Sequence, residues 1–330
     1  MKKVFAFLLS FGLLVSCIVT CAGAEANQIN IVTTIFPIYD WVREVVGDNA
    51  THANITLLLD NGVDLHSYQP TAQDILAIST ADLFIYVGGE SDEWVEDVLQ
   101  SATNPNLKAI NLVDAMGEDI KTEEVVEGME HDHDHEDSEE HEEHDHEHEH
   151  EDEADEHVWL SLRNAGKLTG IIADTLSEID PDYAEYYQAN ASAYIGKLAD
   201  LDARYTDTVN GSACKTILFG DRFPFRYLAD DYGLTYFAAF SGCSAESEAS
   251  FETIVFLAGK TDELGLPAVL TIEHPKTRIA ETIVQATSAK DQKILMLDSM
   301  QGTTAADIQA GMTYLSVMES NLEVLKEALN

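Results

Sequence analysis

Between Glu130 and His157 the chain carries nine of its twelve histidines, nearly all alternating with Glu or Asp. No segment of this composition can bury a core, so it is expected to be a disordered loop. Whatever folds must be built from the sequence before it and after it. An acidic run without histidine reads as a solvated loop. Neutral imidazole at every second or third place makes a metal-collecting loop the better reading, because imidazole ligates zinc, copper and nickel and the carboxylates concentrate cations. His131, His133, His135, His141, His144, His146, His148 and His150 are the collecting side chains.

The run Glu118–Glu156 holds 22 acidic residues against one Lys, half of the formal net charge of -42. The remainder is acidic too, which makes nucleic acid and anionic lipid poor partners and cations good ones. The first residues, MKKVFAFLLSFGLLVSCIVTCAGAEA, have the charged start and apolar stretch of an export signal. Leu14-Val15-Ser16-Cys17 fits the bacterial lipobox, with Cys17 as the lipidated residue. Cleavage after Ala22-Gly23-Ala24 is second in order of preference, and a retained membrane anchor third. All three place the rest of the chain outside the cytoplasm. Cys214 and Cys243 could pair in an exported protein. The strand pattern puts them at opposite ends of neighbouring strands, so two free, half-buried thiols are expected.

On both sides of the insert short apolar runs alternate with amphipathic stretches. The first lobe, 27–117 with its end at 157–180, has strands at Ile29–Ile35, Ala53–Leu59, Asp82–Val87 and Lys108–Leu112. The insert spans 118–156. Tyr183–Val209, within a linking segment 181–210, has apolar residues at spacings of three and four. It predicts one helix roughly 40 Å long at 1.5 Å per residue, enough to run across two lobes. The second lobe, 211–330, repeats the alternation, with strands at Thr216–Phe219, Leu234–Phe240, Ala268–Ile272 and Lys293–Leu297. Its last helix is expected as one piece over about 305–328. The fold class is therefore α/β: two lobes, each a mostly parallel sheet flanked by helices, joined by one long helix.

In open parallel sheets ligands bind beyond the strand C-termini. Polar residues that follow these runs include His66, Asp221-Arg222, Glu273-His274 and Asp298, and His157 stands where the insert returns to patterned sequence. Two imidazoles with one or two carboxylates suit Zn²⁺ or Mn²⁺. Each alone reads as a surface or capping residue; together they converge on one edge of two facing sheets. No G-x-S-x-G, Walker loop, H-E-x-x-H or C-x-x-C is present.

Several stretches then carry a family resemblance. They are Ile31-Val32-Thr33-Thr34-Ile35-Phe36-Pro37-Ile38, Gly62-Val63-Asp64-Leu65-His66-Ser67-Tyr68, and His157-Val158-Trp159-Leu160 with Asn164-Ala165. Asp230-Asp231-Tyr232-Gly233-Leu234 and Leu297-Asp298-Ser299 complete the set. The chain resembles the zinc/manganese-type solute-binding proteins of bacterial ABC transporters, the ZnuA-like and TroA-like group of cluster A-I. The resemblance implies a metal ion held between the lobes by His66, His157 and Asp298, with Glu273 near the site. It implies zinc as the ion, with manganese as the alternative, and delivery to an ABC permease and its ATPase. It also implies a non-enzymatic protein, expected as a monomer tethered to the outer face of the cytoplasmic membrane. One position departs from the pattern. A match anchored on Tyr227 and Tyr232-Gly233-Leu234 puts Arg222 where the third ligand belongs, and guanidinium cannot ligate a metal. Asp221, Glu273, His274 or water are left to fill that place. An extracellular metal buffer or adhesion protein, and a metallohydrolase with Glu273 as base, are the competing classes.

Overall fold

The computed structural model describes residues 28–47, 51–129, 153–244, 248–273 and 277–330. Cys17, the eight insert histidines from His131 to His150 and His274 lie outside these residues.

Eight strands form the framework: β1 Ile29–Thr33, β2 Ala53–Leu57, β3 Leu83–Tyr86, β4 Lys108–Asn111, β5 Thr216–Arg222, β6 Thr235–Phe240, β7 Ala268–Thr271 and β8 Lys293–Met296. They make two four-stranded sheets, ordered β2-β1-β3-β4 and β6-β5-β7-β8, with every pairing parallel. Helices cover both faces, so the central strands read as unbroken apolar runs: Ile31, Val32, Leu83, Phe84, Ile85, Leu218, Phe219, Val269 and Leu270 are all buried. The strand order is identical in the two sheets, and the segment after β2 meets the end of β5 across a crevice, where Asp64 pairs with Arg222.

Helix Ala184–Gly211 has 28 residues, about 42 Å. Its buried face is Tyr187, Ala191, Tyr194, Leu198, Leu201, Tyr205 and Val209, the three-and-four spacing legible in the sequence. Asn190 donates to the Val45 carbonyl at 3.0 Å in the first lobe. Farther along, the Tyr205 hydroxyl donates to the Met318 carbonyl at 2.6 Å in the second. One rigid element thus spans both lobes.

The structure departs from the pattern-based expectation in three places. The terminal helix is two, Ala305–Gln309 and Tyr314–Ala328. Gly311 turns the chain at φ 97, and Thr313 starts the second piece with a capping box on Ser316. The pattern of 223–232 reads as one helix, but the helix begins at Arg226, because Phe223 and Phe225 are buried in an aromatic cluster where Phe223 stacks on Tyr236 at 3.7 Å.

The third departure corrects the extent of the insert. The run 118–156 is not structureless at its ends: Thr122 bridges Ala154, and Asp155 N donates to the Lys121 carbonyl at 2.8 Å. From this base Glu124 reaches Tyr236 at 2.8 Å and Arg226 at 2.8 Å, while Lys121 pairs with Asp230 at 2.6 Å. Charge alone hid these contacts, since their partners lie in the second lobe. Cys214 and Cys243 are free, as expected.

Candidate metal centre

His66 follows β2, on a short 3-10 turn, Leu65–Ser67, started by Asp64, whose carboxylate accepts from His66 N at 3.0 Å. His157 precedes another such turn, Val158–Leu160. Both rings point into the crevice, and His66 Nε2 lies 3.2 Å from His157 Nε2. Two ligand atoms on a tetrahedral zinc with Zn–N of about 2.0–2.1 Å stand about 3.3 Å apart. The pair has the spacing of one edge of that tetrahedron.

The partners of the other ring nitrogens bear on the tautomers. His157 Nδ1 meets Asp155 Oδ1 at 2.9 Å. A carboxylate can only accept, so the proton is on Nδ1 and the lone pair on Nε2. His66 Nδ1 meets Ser91 Oγ at 2.7 Å. A hydroxyl can donate or accept, so this contact serves either tautomer; the one that frees Nε2 for a cation has His66 Nδ1–H donating to Ser91 Oγ. In that tautomer both Nε2 atoms offer their lone pairs to a cation between them; in the other, His66 Nε2–H donates to His157 Nε2 across the same 3.2 Å. Glu156 Oε1 accepts from Ser91 N at 2.9 Å and Oε2 lies 3.8 Å from His66 Nδ1. Gly89, at φ 74, makes room for it: a Cβ there would fall 2.4 Å from Glu156 Oε1.

His66 is held at about 3, far below its ordinary 6.5, by burial first and then by His157. The imidazole is neutral at any working pH. Between pH 6.5 and 3 the unfolded chain binds a proton that the folded chain refuses. The associated stability is thus present above pH 6.5 and lost as pH falls. We expect metal-free protein to lose roughly 2 kcal/mol from this group between pH 7.5 and 5, at about 1.4 kcal/mol per unit. Urea denaturation should show a correspondingly flatter acid limb in His66→Gln; an unchanged limb would contradict the buried neutral imidazole.

Among the described residues, the His, Cys, Asp and Glu side chains whose ligand atoms all come within 4.8 Å of one another are His66, His157 and Cys243. The sequence marks Cys243 only as a free, half-buried thiol. The other candidates sit around this core. Glu273 uses its carboxylate on the 299–302 loop, accepting from Ser299 N at 2.7 Å, Ser299 Oγ at 2.7 Å, Gln301 N at 2.7 Å and Gly302 N at 3.1 Å. Asp298 accepts from Met300 N at 2.8 Å, with Met300 at φ 63. Burial, then the Glu273 charge, pushes the Asp298 carboxyl up to about 7. Asp221 stays with its sheet, accepting from Arg222 N at 2.9 Å and Ile272 N at 3.4 Å.

Arg222 is buried at the end of β5. The strand register shifts between Phe219 and Arg222, where Gly220 passes so close to Ala280 that a Cβ would fall 2.6 Å from its Cα. The guanidinium pairs with Asp64 of the first lobe and reaches the Ser244 carbonyl at 3.5 Å. Burial alone would raise the Asp64 carboxyl, but Arg222 holds it below the usual carboxylate range. Arg222 is therefore a clamp across the crevice.

A facing histidine pair at the mouth of two parallel sheets of the same strand order is the centre of this fold. The model of the ZnuA family, zinc-uptake complex component A, periplasmic, matches residues 31–328. The chain belongs to this family. The zinc-binding lipoprotein AdcA of Streptococcus pneumoniae (strain ATCC BAA-255 / R6) is 33% identical over 336 residues, 99% of this chain and 61% of AdcA. The chain thus spans under two thirds of that relative's length. The high-affinity zinc uptake system protein ZnuA of Bacillus subtilis (strain 168) is 31% identical over 308 residues, 93% of this chain and 90% of the relative. The crystal structure of the Zn(II)-bound ZnuA-like domain of S. pneumoniae AdcA superimposes with a TM-score of 0.70 at 30% identity, covering 92% of this chain and 99% of that domain. The family is one of uptake components rather than enzymes, and its fold is the two-lobed α/β fold expected from the sequence.

Nothing in the spacing of the sequence marks Ser91, Asp155 or Glu156 as partners of the histidines. Cys243 carried a usable signal: it follows the end of β6 as His66 follows β2.

Proposed function

We propose that this chain is an extracytoplasmic solute-binding protein that captures one divalent metal ion, zinc in preference to manganese, between its lobes and delivers it to an ABC permease with its ATPase. The observation that carries the reading is the pair of facing Nε2 atoms 3.2 Å apart, each ring held by a hydrogen bond at its Nδ1. The names of the relatives, a zinc uptake system protein for ZnuA and a zinc-binding lipoprotein for AdcA, support the choice of ion. Imidazole donors support it too, since manganese favours oxygen. Asp298, whose carboxyl is raised by burial and the Glu273 charge, lies outside the group of ligand atoms within 4.8 Å and is a further candidate ligand. Cys17 is the lipid attachment point, and the histidines from His131 to His150 collect metal at weak sites and pass it inward. The protein acts as a monomer. No turnover is expected, because Glu273, the candidate general base, spends its carboxylate on the 299–302 loop.

The test is competitive Zn²⁺ and Mn²⁺ binding to the chain with residues 131–151 removed, which leaves the bridged Thr122 and Ala154 in place. One tight zinc equivalent, lost in His66→Ala, is the expected result. If no tight site survives removal of the segment, the His-rich run is the metal binder and the crevice reading fails.

A further inference from the structure

Cys243 lies just past β6, in Ser241-Gly242-Cys243-Ser244, and reaches the crevice from the second lobe. Its ligand atom completes the group with His66 and His157 within 4.8 Å. Three features of its loop hold it there. Gly242 packs on the His157 ring so closely that a Cβ would stand 3.0 Å from Cε1 and 3.2 Å from Nδ1. Cys243 N donates to Glu123 Oε1 at 2.9 Å, fixing the loop to the ordered base of the insert. Arg222 reaches the next carbonyl, that of Ser244. The arginine that stands where a third ligand belongs thus secures the neighbouring loop that carries a donor.

We infer that the third protein ligand of the captured ion is the Cys243 thiolate, making a His66–His157–Cys243 centre. The inference rests on the metal-capture reading and names the donor that the arginine substitution leaves open. Without metal, burial, then Glu123, pushes the thiol well above its usual range, so the empty crevice holds a neutral S–H. A divalent cation on two imidazoles reverses that preference and expels the proton as the bond to sulfur forms. The bound set then carries one negative charge against a dication, and the Asp64 carboxylate neutralises Arg222 nearby. Sulfur also settles the ion class: soft thiolate favours zinc, and manganese, which prefers carboxylate and water, gains little from it.

Cobalt(II) loaded into the full chain is the test, since only a sulfur ligand gives a thiolate-to-cobalt charge-transfer band in the near ultraviolet. The band should be present in the wild type and in Cys214→Ser, whose thiol lies at the start of β5. It should be absent from Cys243→Ser and Cys243→Ala, which should still bind cobalt. Zinc affinity in Cys243→Ser should drop about 10²–10³-fold, the share of one ligand in a typical zinc site, with a smaller drop for manganese. A band that survives in both Cys243 variants, or a wild type that binds cobalt through His66 with no band, overturns the thiolate ligand and leaves metal capture standing. A wild type with no crevice site for either ion overturns both. Far-ultraviolet circular dichroism of the variants separates loss of a ligand from loss of the fold.

Discussion

Replacing His157 by Ala should lower zinc affinity by about two to three orders of magnitude. Zinc held by a full set of protein ligands is worth about 10–16 kcal/mol, so one of four donors carries roughly 3–4 kcal/mol, and each 1.4 kcal/mol is tenfold. His157 is fully buried, so no water-exposed side chain can swing in to replace it. Asp155→Ala provides the graded comparison. It keeps the imidazole but removes the acceptor that holds the proton on Nδ1. Loss of such an outer partner costs about 10–100-fold. Both constants come from competition with a chelator of known affinity, on protein lacking 131–151 so that the collecting histidines do not mask the loss. If Asp155→Ala costs as much as His157→Ala, Asp155 is holding up the whole segment rather than one tautomer. If neither changes the affinity, the facing imidazoles are not the metal site.

The second large effect is on stability. Trp159→Ala should cost about 4 kcal/mol of unfolding free energy, within the 3–5 kcal/mol usual for a buried large aromatic. Trp159 is 0% exposed. Its indole donates to the Ser299 carbonyl at 2.9 Å, and its own carbonyl accepts from the Tyr314 hydroxyl at 2.7 Å. The first bond ties the His157 segment to the loop after Asp298; the second ties it to the last helix. That helix in turn donates from Tyr314 N to Asp40 at 2.8 Å, on helix Phe36–Val46 of the first lobe. Truncating the indole opens a void where the lobes meet. Urea denaturation should therefore show a single weakened transition, with metal affinity reduced as well, because the His157 ring packs 5.2 Å from the indole. Tyr314→Phe removes one hydrogen bond and should cost only about 1 kcal/mol. A Trp159→Ala loss no larger than that would mean the crevice collapses freely around the missing ring.

These two residues stand two positions apart in a run that was prominent in the sequence, yet only one of them was read as functional. His157 was legible because an imidazole at the return from an acidic run has a specific chemistry. Trp159 looked like any core aromatic, and its bridging role depends on Ser299 and Tyr314, more than 130 positions away. The insert shows the same limit. Its charge correctly marked a segment unable to form a core, but Lys121, Glu123 and Glu124 find partners in Asp230, Cys243 and Tyr236 that no local pattern could supply.

Periodicity by itself determined the architecture. Parallel strands buried on both faces must be continuously apolar, and a helix crossing two lobes must keep one face apolar at three-and-four spacing, so both features are local and survive in the chain as text. The same logic located His66 and Asp298, which follow strands. Tertiary structure alone decided what each strand-end residue does. The register shift after Phe219 turns Arg222 toward Asp64 and leaves Asp221 in the sheet. The 299–302 loop claims Glu273. The contact of Gly242 with the His157 ring places Cys243 against the two histidines. Each outcome depends on a partner supplied by another strand or the other lobe, at separations where sequence carries no spacing rule, so residue type could nominate the donors but only packing could choose among them.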